Sequence, residues 1–442
     1  LRNYFGTDGV RGKANSDLTP ELALRLGRAA VRALGGSGRR VVVGRDTRVS
    51  GQMLESALVA GMLSEEADVL LVGVIPTPAV AFLTEELEAD IGAVISASHN
   101  PYEDNGIKFF GAGGLKLPDD TEKAIEAEFE GIEVSEEGGP VGEATRIAGA
   151  ERRYIDHLLG CVNFDLDGYR IAFDCANGAT YRVSPFTFES LGAKVETIGT
   201  EPDGYNINLE CGSTHPGRLA QLTTGMKADM GFALDGDGDR CLCVDETGEV
   251  RDGDYVMAIV ARYLKERDLL HPSIIVTTVM SNLGLCRSLE ELGIEYGQTQ
   301  VGDRYVLEEM ESTGALVGGE QSGHIIFREH ATTGDGTLTA LLVAGVVKDT
   351  GRPLSELSKV MNKFPQVLVN VGSRSGRRLE PGMLVWKTIR KYEEELGKNG
   401  RIVVRSSGTE PVERVMVEAP SADKANEVAR NIADAIAREL DH

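Results

Sequence analysis

No stretch of this sequence is apolar for long enough to cross a bilayer. The longest run, LTALLVAGVV at 338–347, is about half of what a spanning helix needs. No basic-then-apolar leader stands ahead of the first helix-like segment, so a soluble, cytoplasmic protein is expected. Basic residues are the minority, 46 Lys and Arg against 69 Asp and Glu, for a net charge of -23. That field repels phosphate backbones and anionic lipid, which argues against nucleic acid and membrane as general partners. A small anionic ligand would instead demand a few arginines gathered in loops and a cation to offset the carboxylates. The six cysteines (Cys161, Cys175, Cys211, Cys241, Cys243 and Cys286) lack metal-ligand spacing and are expected as reduced, structural thiols. A G-x-S-x-G elbow is also missing.

The 442 residues are too many for one ordinary core, and about 150 residues per domain gives roughly three units. Thr19, Pro20 and Glu21 open a helix with Leu22, Leu26 and Ala30 on one face, and Gly35 with Gly36 stops it. Strand-like RVVVG, helix-like SGQMLESALVAGMLSEE, and strand-like DVLLVG and IGAVIS then alternate as in an α/β layer with a largely parallel sheet. The rhythm restarts at YRIAFDCANG (169–178), after an acidic, Gly-rich stretch near 135–148, and again at SIIVTTV (273–279). The tail reads as strand, helix, two strands and helix, a small α+β unit. The expected domains are 1–150, 151–253, 254–364 and 365–442.

Three segments share a plan: ADIGAVISASHNP…GIKFF, ADMGFALDGDGDRCLCVD and TGALVGGEQSGHIIF. Each is a Gly-containing apolar strand, a polar loop and a second apolar strand. Loops at equivalent ends of α/β sheets face ligand crevices, so three units can point three different loops into one cleft.

In LDGDGDR (234–240), Asp235, Asp237 and Asp239 alternate with glycines that permit a tight backbone around one hard cation. An EF-hand fails, because the strand CLCVD occupies the space where that loop should continue toward Glu246. The plain alternative is a solvated acidic turn, but three carboxylates converging between buried strands would repel without a cation. Magnesium suits a site whose shell phosphate completes. Ser98 and His99 in ISASHNP suggest a hydrolase pair, but neighbouring residues rarely set their side chains together. If Ser98 carries a phosphoryl group, the aspartates and their metal acquire a reason, and His99 orients the loop.

FGTDGVRG (5–12), ISASHNP (95–101), DGDGDR (235–240), GEQSGH (319–324) and RSSGTEP (405–411) follow one another across nearly the whole chain. Together they resemble the α-D-phosphohexomutases, and within them the bacterial-type phosphoglucosamine mutase branch. The resemblance implies three similar α/β domains with mixed sheets around a central cleft, plus a mobile C-terminal α+β lid. It implies reversible conversion of glucosamine 6-phosphate and glucosamine 1-phosphate, with glucosamine 1,6-bisphosphate as intermediate and activator. By similarity Ser98 is the phosphoserine, and Asp235, Asp237 and Asp239 hold Mg²⁺ with the serine phosphate. Lys108 would move the sugar hydroxyl proton if confinement lowers its pKa, and Arg11 would spread transition-state charge. Their plain alternatives are a strand-edge lysine in solvent and an interdomain ion pair. His324 either assists proton transfer or holds its loop.

The same similarity gives the substrate contacts. Glu320 and Ser322 match sugar-hydroxyl recognition, His99 and Arg240 sit in the matched loops, and Arg405, Ser407, Gly408 and Thr409 match a phosphate-binding loop. Two departures stand out. Several glucose and mannose mutases carry a histidine where QVGDRYV places Asp303 and Arg304, and Glu413 stands where an apolar residue is expected. The rivals are a phosphoglucomutase or phosphomannomutase of the same superfamily, a metal-dependent sugar phosphatase, and a silent phosphosugar sensor. A homodimer and an activating protein kinase stay open as partners.

Overall fold

Four sheets follow one another along the chain in the computed structural model, which describes residues 4–6, 8–131, 139–372, 378–380, 382–406 and 412–440. The first contains β1 (Val10–Lys13), β2 (Arg40–Arg45), β3 (Asp68–Val74), β4 (Ile91–Ile95), β5 (Asp104–Phe110) and β6 (Ala144–Arg146), in the order β1-β5-β4-β2-β3-β6. The second contains β7 (Arg170–Asp174), β8 (Lys194–Ile198), β9 (Met230–Leu234), β10 (Cys241–Asp245) and β11 (Val250–Arg251), ordered β11-β10-β9-β7-β8. The third is β13-β12-β14-β15, from β12 (Ile274–Thr278), β13 (Glu295–Thr299), β14 (Val317–Gly319) and β15 (Ile325–Phe327).

These three sheets repeat one topology. The first strand of each set (β2, β7, β12) lies between two parallel neighbours, and the third strand (β4, β9, β14) turns back antiparallel into the fourth (β5, β10, β15). Each repeated sequence segment is therefore an antiparallel hairpin beside a run of parallel strands, extended by antiparallel β1 in the first sheet and antiparallel β11 in the second, and its polar loop leaves the C-terminal end of a parallel strand. Burial explains why the pattern was legible. Strands covered on both faces read as unbroken apolar runs, and Val41, Val42 and Val43 are all fully buried. Thr19 caps the Pro20–Ala33 helix by accepting from the Leu22 N–H at 3.2 Å. That helix crosses the Gly51–Leu63 helix closely: a Cβ at Gly27 would come within 2.3 Å of the Leu58 carbonyl oxygen, and one at Gly61 within 2.0 Å of that of Leu24.

The run LTALLVAGVV lies in the Gly336–Thr350 helix, and most of it is buried in the core. Among the described residues no helix is long and apolar enough to cross a membrane. None of the six cysteines is in a disulfide. The acidic, Gly-rich stretch near 135–148, of which 135–138 lie outside the described residues, holds β6, paired parallel with β3. Its three exposed residues, Ala-Thr-Arg, carry no apolar signal, so only edge pairing reveals it.

The fourth sheet, β16 (Gln366–Gly372), β17 (Arg401–Ser406) and β18 (Val412–Glu418), is wholly antiparallel, with β18 between the others. The Val385–Leu396 and Ala422–Leu440 helices complete the strand-helix-strand-strand-helix order read from the tail. One continuous apolar core links the first three units, from Val42 and Phe110 through Phe173 to Leu341, whereas the fourth keeps its own cluster around Val415, Val428 and Ile432. Polar contacts join it to the third unit. Glu418 accepts from the Leu283 N–H at 3.1 Å, and Arg401 Nη2, which pairs with Glu418, donates to the Ser281 carbonyl at 2.5 Å. A junction of this kind suits a movable domain.

Asp254 sits under that junction. Its Oδ2 accepts from the Asn282 N–H at 2.8 Å and from Gln321 Nε2 at 3.1 Å, while Oδ1 is buried with no partner. Burial, reinforced by the charge of Asp252, pushes its pKa up to about 7. A folded-state pKa above the unfolded value means that Asp254 supports folding below about pH 4, and that this support is lost as pH rises through about 7. Asp254→Asn should therefore raise Tm relative to the parent at about pH 8 and lose that advantage toward about pH 4. Thermal unfolding across this range tests it, and an offset that does not vary with pH would contradict the assignment.

Candidate active site

Ser98 opens the loop after β4, buried and with φ +52, a left-handed value uncommon for a side-chain-bearing residue. Its Oγ donates to Asp235 Oδ2 at 2.6 Å, in the loop between β9 and β10. The two loops come this close because residue 236 is glycine: a Cβ there would lie 2.6 Å from the Ser98 carbonyl oxygen. The left-handed turn also brings His99 Nδ1 within 3.3 Å of Ser98 Oγ, against the expectation that these neighbours stay apart. The carboxylate is nonetheless the closer acceptor, and burial, with the positive charge of Arg240 and Arg11, holds the His99 pKa down to about 4.

Asp235, Asp237 and Asp239 are buried, with one oxygen from each inside a 4.8 Å cluster. Burial and the charges of Asp239 and Asp237 push the Asp235 pKa well up. Thr77 Oγ1 donates to Asp237 Oδ2 at 2.7 Å, yet Asp237 Oδ1 and Asp239 Oδ1 are buried with no hydrogen-bond partner. Orphaned carboxylate oxygens facing one another are costly unless a cation binds. An all-oxygen donor set fits a hard divalent ion such as magnesium, and the solvated acidic turn is excluded by the burial.

Lys108 is not a strand-edge lysine. β5 lies between β1 and β4, and the Lys108 ammonium is buried 2.8 Å from Asp8, 3.0 Å from Asp237 and 3.7 Å from Asp239. Burial alone would lower its pKa, but the three carboxylates outweigh it and raise the pKa well above the ordinary lysine value. The lowering expected from confinement is thus reversed: the group is held as a cation. Among the described residues Arg11 pairs within its own unit, its Nη2 meeting Asp8 at 2.5 Å, while Asp237 and Asp239 act on it only through their charge.

Sequence reading missed Asp8 and Lys116. Asp8 accepts from Lys116 Nζ at 2.7 Å, and Lys116 also pairs with Asp303. Asp303 Oδ2 lies 3.6 Å from His324 Nε2, and His324 Nδ1 lies 3.6 Å from Asp239 Oδ2. Lys108, Asp8, Lys116, Asp303, His324 and Asp239 therefore close a ring, drawn from the first three units, in which carboxylates alternate with two ammonium groups and an imidazole. Asp8 stood in a quoted motif without a role, whereas nothing around Lys116 in the sequence hints at its position. Burial acts to lower the His324 pKa, but Asp239 and Asp303 raise it overall. The Gly334 N–H donates to Nε2 at 3.0 Å, which favours the neutral ring with its proton on Nδ1 toward Asp239. Arg304 donates to Glu122 Oε1 at 2.6 Å and also pairs with Asp119, so the Asp-Arg pair that departed from the expected histidine ties the third unit to the first.

Arg240 donates its backbone N–H to Asp235 Oδ1 at 3.2 Å, and its Nε lies 3.9 Å from Asp239 Oδ1. Glu320 Oε1 accepts from the Gly302 N–H at 3.0 Å, and Ser322 Oγ donates to Glu320 Oε2 at 3.3 Å. Both line a cavity of about 330 Å³ shared with Asp252, Thr278 and Lys363.

Arg405, next to last in β17, lies directly across from Arg414 on β18. Burial and the charge of Arg414 lower its pKa, and the charge of Glu320 opposes them. Ser407, Gly408 and Thr409 lie outside the described residues. Glu413 now has a physical account. It is 2% exposed, accepts from Ser406 Oγ at 2.8 Å on each oxygen, and accepts from the Leu379 N–H at 3.3 Å. An apolar residue there would leave these donors unmet.

Four family models match the chain in order. They are phosphoglucomutase/phosphomannomutase alpha/beta/alpha domain I over 2–136, domain II over 152–248 and domain III over 252–364, and the C-terminal domain over 342–435. Curated relatives include the phosphoglucosamine mutase of Brevibacillus brevis, 48% identical over 447 residues, and that of Shouchella clausii, 50% identical over 444, each match covering 100% of both chains. Among solved structures, a phosphoglucomutase/phosphomannomutase family protein from Burkholderia thailandensis superposes with a TM-score of 0.81 at 24% identity, covering 97% of this chain and 96% of that one. The N-acetylphosphoglucosamine mutase of Aspergillus fumigatus, solved in complex with GlcNAc-6P and magnesium, gives 0.69 at 19% identity, covering 99% and 96%. At these identities the two structures speak for the fold, and the curated relatives and family models speak for descent. The chain belongs to the phosphoglucomutase/phosphomannomutase family, within the α-D-phosphohexomutase superfamily.

Proposed function

We propose that the protein is a phosphoglucosamine mutase, interconverting glucosamine 6-phosphate and glucosamine 1-phosphate through a phosphoserine at Ser98 and glucosamine 1,6-bisphosphate. The observation that carries the reading is the buried Ser98 hydroxyl against Asp235, beside two carboxylate oxygens with no partner of their own. Full-length identity of about half to phosphoglucosamine mutases supports the glucosamine choice.

In the first half-reaction the Ser98 Oγ–P bond breaks and a P–O bond forms to the free sugar hydroxyl, whose proton leaves. After the bisphosphate turns end for end, the other phosphoryl group returns to Ser98. Magnesium held by Asp235, Asp237, Asp239 and the serine phosphate would offset charge and polarise phosphorus. Lys108, kept cationic by its carboxylates, and Arg11 stabilise negative charge that develops on the transferring oxygens. His324, with a proton on Nδ1 and acidic neighbours on both sides, is the group best placed to pass a proton within the ring. Glu320 and Ser322 orient the sugar hydroxyls, with Arg240 and His99 beside the reacting phosphate. The fourth unit, 365–442, acts as the lid.

Arg405 serves binding in this reading, gripping the phosphate that is not being transferred. Charge-assisted contacts to phosphate are worth about 1.5 to 3 kcal/mol, so Arg405→Ala should lower kcat/KM roughly ten- to a hundredfold for both substrates. Added bisphosphate should restore activity lost through its escape. An unchanged KM with no extra demand for bisphosphate would remove the lid role.

Charging of Ser98 falls to the bisphosphate, to the enzyme itself or to an activating protein kinase, and intact mass with and without added bisphosphate tests the first. Because sugar phosphates are anions that do not cross bilayers, a cytoplasmic location goes with the substrate. The test of the function is a coupled assay on glucosamine, glucose and mannose phosphates, with the highest kcat/KM expected for glucosamine. Preference for glucose or mannose would move the protein to the branches for which the family models are named, and steady phosphate release without isomerisation would make it a phosphatase.

A further inference from the structure

The loop that follows β2, Asp46-Thr47-Arg48, has no part in the chemistry described so far, yet it holds a fully buried charged pair. Asp46 and Arg48 are 0% and 1% exposed, and Arg48 Nη1 is paired with Asp46 Oδ2. β2 and β4 are parallel neighbours with Arg45 opposite Ile95, so their loops leave the sheet side by side and the Asp46 loop meets the Ser98 loop. The other arm of Arg48, Nη2, donates to the Ser98 carbonyl at 3.3 Å and the Asn100 carbonyl at 2.5 Å. Asn208 Nδ2, from the second unit, donates to the same two carbonyls at 2.9 Å each. On the opposite side the Ser98 N–H donates to Ser96 Oγ at 3.0 Å, and Ser96 Oγ donates to Asp46 Oδ2 at 2.5 Å. The backbone of Ser98 is thus held at its N–H and, from two domains, at its carbonyl.

That hold coincides with an unfavourable backbone. A left-handed serine costs on the order of 1 kcal/mol or more, and it persists only where surrounding bonds fix it. Released, the residue would relax to negative φ and its Oγ would swing away from Asp235. We infer that Asp46, Arg48, Ser96 and Asn208 form a positioning cradle that fixes Ser98 in the left-handed turn and so aims its Oγ at the metal cluster and the incoming sugar. The inference rests on the phosphoserine reading for its consequence in catalysis, but its geometric content stands apart from it.

Removing Arg48 alone would strand a buried carboxylate, so the test uses Asp46→Asn with Arg48→Met, which takes out both charges and keeps the volume. Asn208→Ala, which leaves the buried pair intact, is the second variant. Misplacement of a reacting atom by about 1 Å can cost about a hundredfold in rate. In the double variant kcat should therefore fall about a hundredfold and in Asn208→Ala about tenfold. KM for glucosamine phosphate should stay within about twofold of the parent in both, because no cradle atom needs to touch the sugar. A crystal structure of the double variant should show Ser98 at negative φ with its Oγ beyond hydrogen-bond distance of Asp235. Arg48→Lys, which keeps a cation for Asp46 but loses the planar fork, should recover part of the rate.

If the double variant does not fold, Asn208→Ala decides by the same split between kcat and KM. A folded variant with parental kcat, a loss confined to KM, or a Ser98 that keeps φ near +52 and its contact to Asp235 would overturn the cradle. Should the parent protein itself turn over no sugar phosphate, the function proposed above fails, and the variant's Ser98 geometry still decides the cradle.

Discussion

Ser98→Ala is expected to abolish turnover on every hexose phosphate, by on the order of 10⁵-fold or more, the scale seen when a catalytic nucleophile is deleted. The size follows from the surroundings. Ser98 Oγ is the hydroxyl hydrogen-bonded to Asp235. Ser96 Oγ, the next hydroxyl along the loop, points the other way, to Asp46. His99 carries no oxygen to take a phosphoryl group to the same stable ester. The fold should survive, because the substitution removes one hydroxyl without making a cavity. Intact mass should show no phosphoprotein, and added bisphosphate should not restore activity, in contrast to Arg405→Ala. Residual turnover near the parental rate would place the covalent step elsewhere.

Asp237→Asn is expected to act with opposite signs on stability and on catalysis. Three buried carboxylates repel one another without a cation, so removing one charge at constant volume should raise the Tm of the metal-free protein. The same change should weaken Mg²⁺ binding at least about tenfold and cut kcat about a hundredfold, the scale of losing one preorganised electrostatic group. Lys108 keeps Asp8 and Asp239 as partners, and Thr77 keeps an oxygen acceptor at position 237, so the structure should hold. Calorimetric Mg²⁺ titration beside thermal unfolding in chelator reads both effects. An unchanged metal affinity would remove Asp237 from the ligand set, and a metal-free protein made less stable would show that its pair with Lys108 outweighs the repulsion among the carboxylates.

Much of this architecture was legible because burial leaves a mark on sequence. Doubly covered strands such as β2 and β4 read as apolar runs, and the three hairpins announced themselves as apolar strands interrupted by polar loops that no buried turn would otherwise tolerate. Ser98 and the three aspartates were visible for the same reason: charge and hydroxyl between buried strands need a ligand. Convergence between distant segments leaves no such mark. Lys108 was expected to lose basicity on confinement, and instead gains it, because Asp8, Asp237 and Asp239 arrive from elsewhere in the chain. Lys116 and Asp303 meet across two domains, and Arg48 and Asn208 meet at two carbonyls of a third segment. Glu413 read as an anomaly until Ser406 was seen to donate to it. The short strands β6 and β11 were missed because pairing at a sheet edge needs no apolar pattern.

The central claim is that Ser98 exchanges its phosphoryl group with the sugar. The measurement that tests it most directly is single-turnover mixing of the purified phosphoenzyme with glucosamine 6-phosphate, followed by intact-mass analysis of the protein and separation of the sugar products. The phosphoryl mass should leave the protein, localised to Ser98, as glucosamine 1,6-bisphosphate appears in equal amount, and it should return as glucosamine 1-phosphate forms. A protein that isomerises the sugar while its phosphoserine stays intact, or one that releases inorganic phosphate instead of bisphosphate, would contradict the account.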